Sequence, residues 1–193
     1  MANNSMESVL IAYNNDGGTD LHSYFESCAD DAKQFCNDNG HSFTCVFPPD
    51  LTEQNVITPM SEHTICFIAA HGDKNGIYNN NDEEVISVHT TNYDFNNKVF
   101  YAVSCLCGNN LKSELKRIGL ETFVGYDDCL YVIESDISFK DTAMEGLRSL
   151  LSGDSKLIAK QKMMAKYADC INKTADKRTK ALLIHNKEHL CFE

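Results

Sequence analysis

The 193-residue chain lacks long apolar runs: its longest, Val9 to Tyr13, Cys66 to Ala70 and Val99 to Val103, extend for about five residues. A bilayer needs roughly 20, so no membrane span and no membrane partner are expected. Met1 to Ser8 is polar and carries no Lys or Arg, unlike a signal peptide, which points to a protein made and kept in the reducing cytoplasm. Nine cysteines are present without a single C-x-x-C pair. That count and spacing argue against a zinc ribbon or thioredoxin motif and suit free thiols, several of them small core residues. There is no Pro-rich or Gly/Ser-rich linker and no internal repeat, so residues 1–193 are expected to form one unit, with residues 154–193 a basic helical segment at its C-terminal end. Bases are scarce early: residues 1–100 hold 15 acids and 3 bases, and the net charge is −11. Such a surface repels nucleic acid and anionic lipid and suits a cationic substrate.

What is present is an alternation of elements. Val9 to Tyr13 reads as a buried strand ending in the turn-forming Asn14-Asn15-Asp16-Gly17-Gly18. Leu21 to Asp38 has apolar residues at three- and four-residue steps, with Thr19 or Asp20 as a cap and Gly40 just past its end. Ser42 to Phe47, Thr64 to Ala70, Lys98 to Cys105 and Glu121 to Tyr126 read as strands. Thr52 to Met60, Asn109 to Ile118, Ser138 to Leu151 and Lys156 to about Leu190 read as helices. Asp73 to Asn97 is a polar, Asn-rich loop with a small extra strand over Glu84 to His89. Strands apolar on both faces belong inside a parallel sheet covered by helices. The expected fold is therefore α/β, a three-layer α/β/α sandwich around a mostly parallel central sheet. Ligands of such sheets sit at the carboxyl ends of the strands.

Two strand ends carry reactive side chains: FIAAHGDKNG (67–76) presents His71 and VFYAVSCLCGNN (99–110) presents Cys105. Each alone is ordinary, a loop histidine or a core cysteine. Together at one rim, an imidazole can withdraw the proton of a thiol that is a poor nucleophile while protonated. Gly72 and Gly108 leave backbone accessible beside both groups, and amides there can hold a developing oxyanion.

These strand ends resemble the caspase-like cysteine peptidases (clan CD: caspases, metacaspases, legumains, separases, gingipains and CHAT domains), nearest the metacaspase and CHAT-type branch. CADDAKQFCNDNG (28–40), VGYDD (124–128) and FKDTAMEGLRSLLSGDS (139–155) extend the resemblance over about residues 8 to 170. It implies a caspase-like fold, a His71/Cys105 dyad, an oxyanion hole from the amides of Gly72 and Cys105, and hydrolysis of peptide bonds through a thioester, with no cofactor. Cys105 follows His71 by 34 residues, against the ~50 of animal caspases. Cys107 takes the serine position of Cys-x-Ser-Gly, and Val103 stands where metacaspases carry an Asp that selects Arg or Lys. Asp16, Asp20, Asp127 and Asp128 are the acids left to receive a basic substrate side chain, or else solvated loop acids and caps. The implied partners are a protein or peptide substrate and a regulatory partner or second copy.

Two rival readings remain. His185-Asn186-Lys187-Glu188-His189 matches H-x-x-E-H, the inverted zinc-peptidase pattern, but no third ligand follows it in the chain, and His and Lys also suit a helix C-terminus. A C-x-C site at Cys105 and Cys107 with His71 and Cys66 has poor spacing for zinc. The other rival is a caspase-like interaction module with a silent site, docking through the basic, amphipathic stretch Lys156 to Lys187.

Overall fold

A computed structural model describes residues 6–90 and 93–193; residues 1–5 of the polar start and 91–92 of the Asn-rich loop lie outside the described residues. In chain order the elements are β1 (Ser8–Tyr13), α1 (His22–Asn39), β2 (Ser42–Val46), α2 (Glu53–Met60), β3 (Ile65–Ala69), β4 (Gly76–Tyr78), β5 (Glu84–Ser87), β6 (Val99–Val103), α3 (Asn110–Arg117), β7 (Thr122–Tyr126), α4 (Ile137–Leu151), α5 (Lys156–Lys173), α6 (Lys177–Glu188) and β8 (Leu190–Phe192). Six strands form one sheet in the order β2-β1-β3-β6-β7-β8, parallel throughout except for β8. β4 and β5 form a separate antiparallel ribbon.

Successive residues of a strand face opposite sides of the sheet, and here both sides are apolar. Ile11, Phe67, Tyr101 and Val124 stand side by side in register and face α1, α4, α5 and α6. Leu10, Cys66, Phe100 and Phe123 face α2, α3 and the β4–β5 ribbon. Burial on both faces is why these strands read as continuous apolar runs rather than alternating ones. α5 packs Ala159, Met163 and Tyr167 inward, while Leu157 and Ile158 stay exposed.

Two local expectations change. The residue that leads into α1 is neither Thr19 nor Asp20 but Leu21, in a left-handed conformation at φ 61° with no side-chain cap. The helical segment expected over 154–193 breaks at Thr174, restarts behind an Asp176 cap that accepts from the Thr179 amide at 2.6 Å, and ends in a strand. The apolar Leu190-Cys191-Phe192 pairs antiparallel with Val124-Gly125-Tyr126 and forms one edge of the sheet. No described helix is long and apolar enough to cross a membrane.

Candidate active site

Register alone brings the two reactive side chains together. Ala69 of β3 pairs with Val103 of β6, and His71 and Cys105 each lie two residues further on. Two steps preserve the face, so both belong to the side covered by α1 and α4, on strands about 4.8 Å apart. The His71 ring packs edge-on against Phe25 of α1, with centroids 5.2 Å apart, and Cys105 packs half-buried against the same core.

His71 Nε2 lies 2.8 Å from the Asp20 carbonyl oxygen. A carbonyl only accepts, so Nε2 carries the proton of the neutral ring and Nδ1 keeps the lone pair. The left-handed Leu21 turns the chain between that carbonyl and α1, which is why a capping acid was the wrong expectation here. Asp20 acts through its backbone.

The Cys105 thiol is held by a neighbour that sequence reading missed. The Leu130 amide donates to Cys105 Sγ at 3.2 Å, and the thiol faces the Leu130 carbonyl at 3.9 Å. Burial pushes the Cys105 thiol above its ordinary value; the Leu130 hydrogen bond opposes this, while Cys129 and Asp128 add to the rise. Among the described residues, His71 and Cys105 do not hydrogen-bond to each other; each is tethered to a loop. Burial also pushes Cys28, Cys66 and Cys107 up to about 12. Iodoacetamide is therefore expected to modify Cys105 well before those three, with a pH midpoint above that of an ordinary thiol. Peptide-mapped alkylation across pH checks this, and equal labelling of Cys107 would show that burial does not govern thiol reactivity here.

Among the described residues, neither the Gly72 amide nor the Cys105 amide donates to a protein acceptor. The neighbouring amides are occupied: Asp73 donates to Gly76, Leu106 to Asp128 and Gly108 to Tyr126. The two glycines, expected to keep the backbone open, instead let chains touch. A Cβ on Gly72 would collide with Ser104 Oγ and come within 3.1 Å of the Cys105 carbonyl oxygen. One on Gly108, which is buried, would lie 2.9 Å from the Asp127 amide nitrogen. Ser104 Oγ and Asn14 Nδ2 are buried without a hydrogen-bond partner, on the opposite face from His71 and Cys105.

The four acids sit at the carboxyl ends of β1 and β7. Asp16 accepts from the Gly18 amide at 2.9 Å and from Asn80 at 3.2 Å. Asp127 is 2.8 Å from His189 Nδ1, and Asp128 Oδ1 accepts from the Cys129 amide at 2.7 Å. Asp20 is exposed. Cys107 is fully buried, its thiol 3.5 Å from the Ser104 carbonyl oxygen. It is a packing residue against Gly125.

Solved structures share this fold. The complex of Porphyromonas gingivalis RgpB pro- and mature domains superposes with a TM-score of 0.70 at 11% identity, covering 99% of this chain and 48% of that one. The Arg-specific cysteine proteinase gingipain R (RgpB) gives a TM-score of 0.66 at 10% identity, covering 98% and 47%. The fold is thus the caspase-like one, and the chain spans about half the length of the proteins it matches. No protein-family model and no curated protein matches it.

Proposed function

We propose, from a chain that shares its fold with an Arg-specific cysteine proteinase, that this protein is a cysteine endopeptidase acting through His71 and Cys105. The observation that carries the proposal is the placement of both side chains at one height, on one face, of neighbouring strands, beside two unoccupied amides. A substrate carbonyl oxygen at the amides of Gly72 and Cys105 has its developing charge held there. His71 Nδ1 takes the thiol proton, sulfur attacks the carbonyl carbon, and the tetrahedral adduct expels the amine as His71 returns the proton. Water then hydrolyses the thioester. Because burial disfavours the thiolate, proton removal by His71 accompanies attack instead of preceding it.

A basic side chain beside the scissile bond is met by acids at one end of the rim or the other, Asp16 beyond β1 or Asp127 and Asp128 beyond β7, which stand three strands apart. The substrate is a peptide or protein met in the cytoplasm, residues 1–193 form one catalytic unit, and a second copy or regulatory partner controls it. A silent interaction module is the competing reading, favoured by one observation: Cys105 is tethered to Leu130 and not to His71.

The test is an electrophilic peptide series varied at the residue that donates the scissile carbonyl. Covalent capture at Cys105 with preference for Arg or Lys supports the proposal. Capture without that preference removes the acidic-rim assignment, and no capture with any peptide supports the silent module.

A further inference from the structure

The H-x-x-E-H segment finds through the fold the third ligand it lacked in sequence. β8 pairs antiparallel with β7, Tyr126 opposite Leu190, so the residue after β7 lies opposite the residue before β8. Asp127 accordingly donates its amide to the His189 carbonyl at 3.0 Å. His185, four residues earlier and on the last turn of α6, shares the face of His189, with ring centroids 4.4 Å apart. One ring nitrogen of each histidine and one carboxylate oxygen of Asp128 all lie within 4.8 Å of one another.

Each histidine also holds an outer partner of the kind a metal ligand needs. His189 Nδ1 is 2.8 Å from Asp127 Oδ1, while Nε2 faces Asp128 Oδ2 at 3.8 Å. His185 Nε2 is 3.1 Å from the Cys129 carbonyl oxygen. A ring whose other nitrogen bonds a carboxylate or carbonyl is fixed in tautomer and made more basic towards a metal. Zinc holds nitrogen and oxygen ligands about 2.0–2.2 Å away, which sets neighbouring ligands roughly 3.3–3.5 Å apart in a tetrahedron. The His189–Asp128 pair at 3.8 Å needs to close by a few tenths of an ångström, and the set as a whole, within 4.8 Å, by up to about 1.4 Å. Two carboxylates beside two imidazoles favour a divalent cation, and nitrogen-rich donors favour zinc over calcium or magnesium.

We propose that Asp128, His185 and His189 form a zinc site that restrains Cys105. All three are half-buried, so zinc can enter and keep water as a fourth ligand. The segment they grip is the one that holds the thiol. Leu130 donates to Cys105 Sγ, Leu106 donates to the Asp128 carbonyl, and Asn186 clamps Tyr131, accepting from its amide at 3.0 Å and donating to its carbonyl at 2.7 Å. Zinc bound to α6 and Asp128 stabilises this tethered arrangement over any in which the thiol swings free to react. The site itself does not depend on the peptidase reading; the inhibition of turnover it implies does.

The experiment measures zinc binding and thiol reactivity, neither of which requires turnover. In the full chain carrying Cys105→Ser, calorimetry with zinc chloride is expected to find one ion per chain, and zinc to raise the melting temperature. Both effects should vanish in the added His185→Gln/His189→Gln pair and weaken in Asp128→Asn, which keeps its backbone contacts. In the wild-type chain, saturating zinc should slow alkylation of Cys105 about fivefold or more, and should not do so in the histidine pair. No binding, or binding unchanged in both sets of variants, overturns the site. Binding without slower alkylation overturns the restraint, and electrophilic-peptide capture in zinc-free buffer reports separately on the peptidase reading.

Discussion

On the proposed mechanism, Cys105→Ala is expected to abolish peptide hydrolysis, lowering kcat/KM at least about a thousandfold, because it removes the attacking sulfur. The change removes one half-buried sulfur and leaves the Leu130 amide without its acceptor, so the melting temperature should fall by the amount one lost hydrogen bond accounts for, about 1–3 kcal/mol in stability. Cys107→Ala is the informative contrast. Cys107 is fully buried between Ser104 and Gly125, and its loss should cost stability, about 1 kcal/mol for a deleted small apolar group, while most activity remains. Steady-state kinetics and thermal melting on the two variants separate the roles. Activity surviving in Cys105→Ala would sink the dyad, and activity lost in Cys107→Ala with an unchanged melting temperature would move the nucleophile.

Gly72→Ala should damage both the fold and the site. The added methyl would strike Ser104 Oγ and crowd the carbonyl oxygens of Gly76 at 3.0 Å and Cys105 at 3.1 Å. Backbone cannot yield as a long side chain can, and overpacking of this kind costs about 1–3 kcal/mol. The strand ends carrying His71 and Cys105 would be pushed apart by some tenths of an ångström, and a misplacement of that order costs up to about a hundredfold in rate. Ser104→Ala in the same chain removes the first collision. Partial recovery of stability and turnover in Gly72→Ala/Ser104→Ala is the expected result, and no recovery would show that the carbonyl contacts dominate.

Long-range pattern was legible in the sequence because it depends on periodicity. Every parallel strand of the sheet and most helices lie where apolar runs and three-to-four spacing place them, and Gly40 ends α1 in the left-handed conformation expected of it. Three features were not legible, each for a physical reason. Leu21 adopts a positive φ, which its side chain disfavours by about 1–2 kcal/mol, so no residue preference announces it. The last three-residue strand, Leu190–Phe192, is too short to show alternation and becomes a strand only by pairing with β7. Leu130 contributes an amide to Cys105, and a backbone group carries no signature of its neighbour. The same limit applies to Asp128 and the two histidines, which are 57 or more residues apart in the chain and meet only because β8 runs antiparallel.

Ser104 and Cys105 are adjacent in the chain and opposite in fate. Ser104, 1% exposed, points to the side of α2 and the ribbon; Cys105 points to the side of α1. The chemistry of the rim is therefore set by the parity of β6. A single residue inserted between Val99 and Val103 would bring the hydroxyl to where the thiol stands and turn the thiol, one step further along, to the other face. A two-residue insertion would restore parity while lengthening the strand end. In this architecture the side chain presented at the rim is a property of counting as much as of side-chain type, so β6 should accept length changes only in even steps.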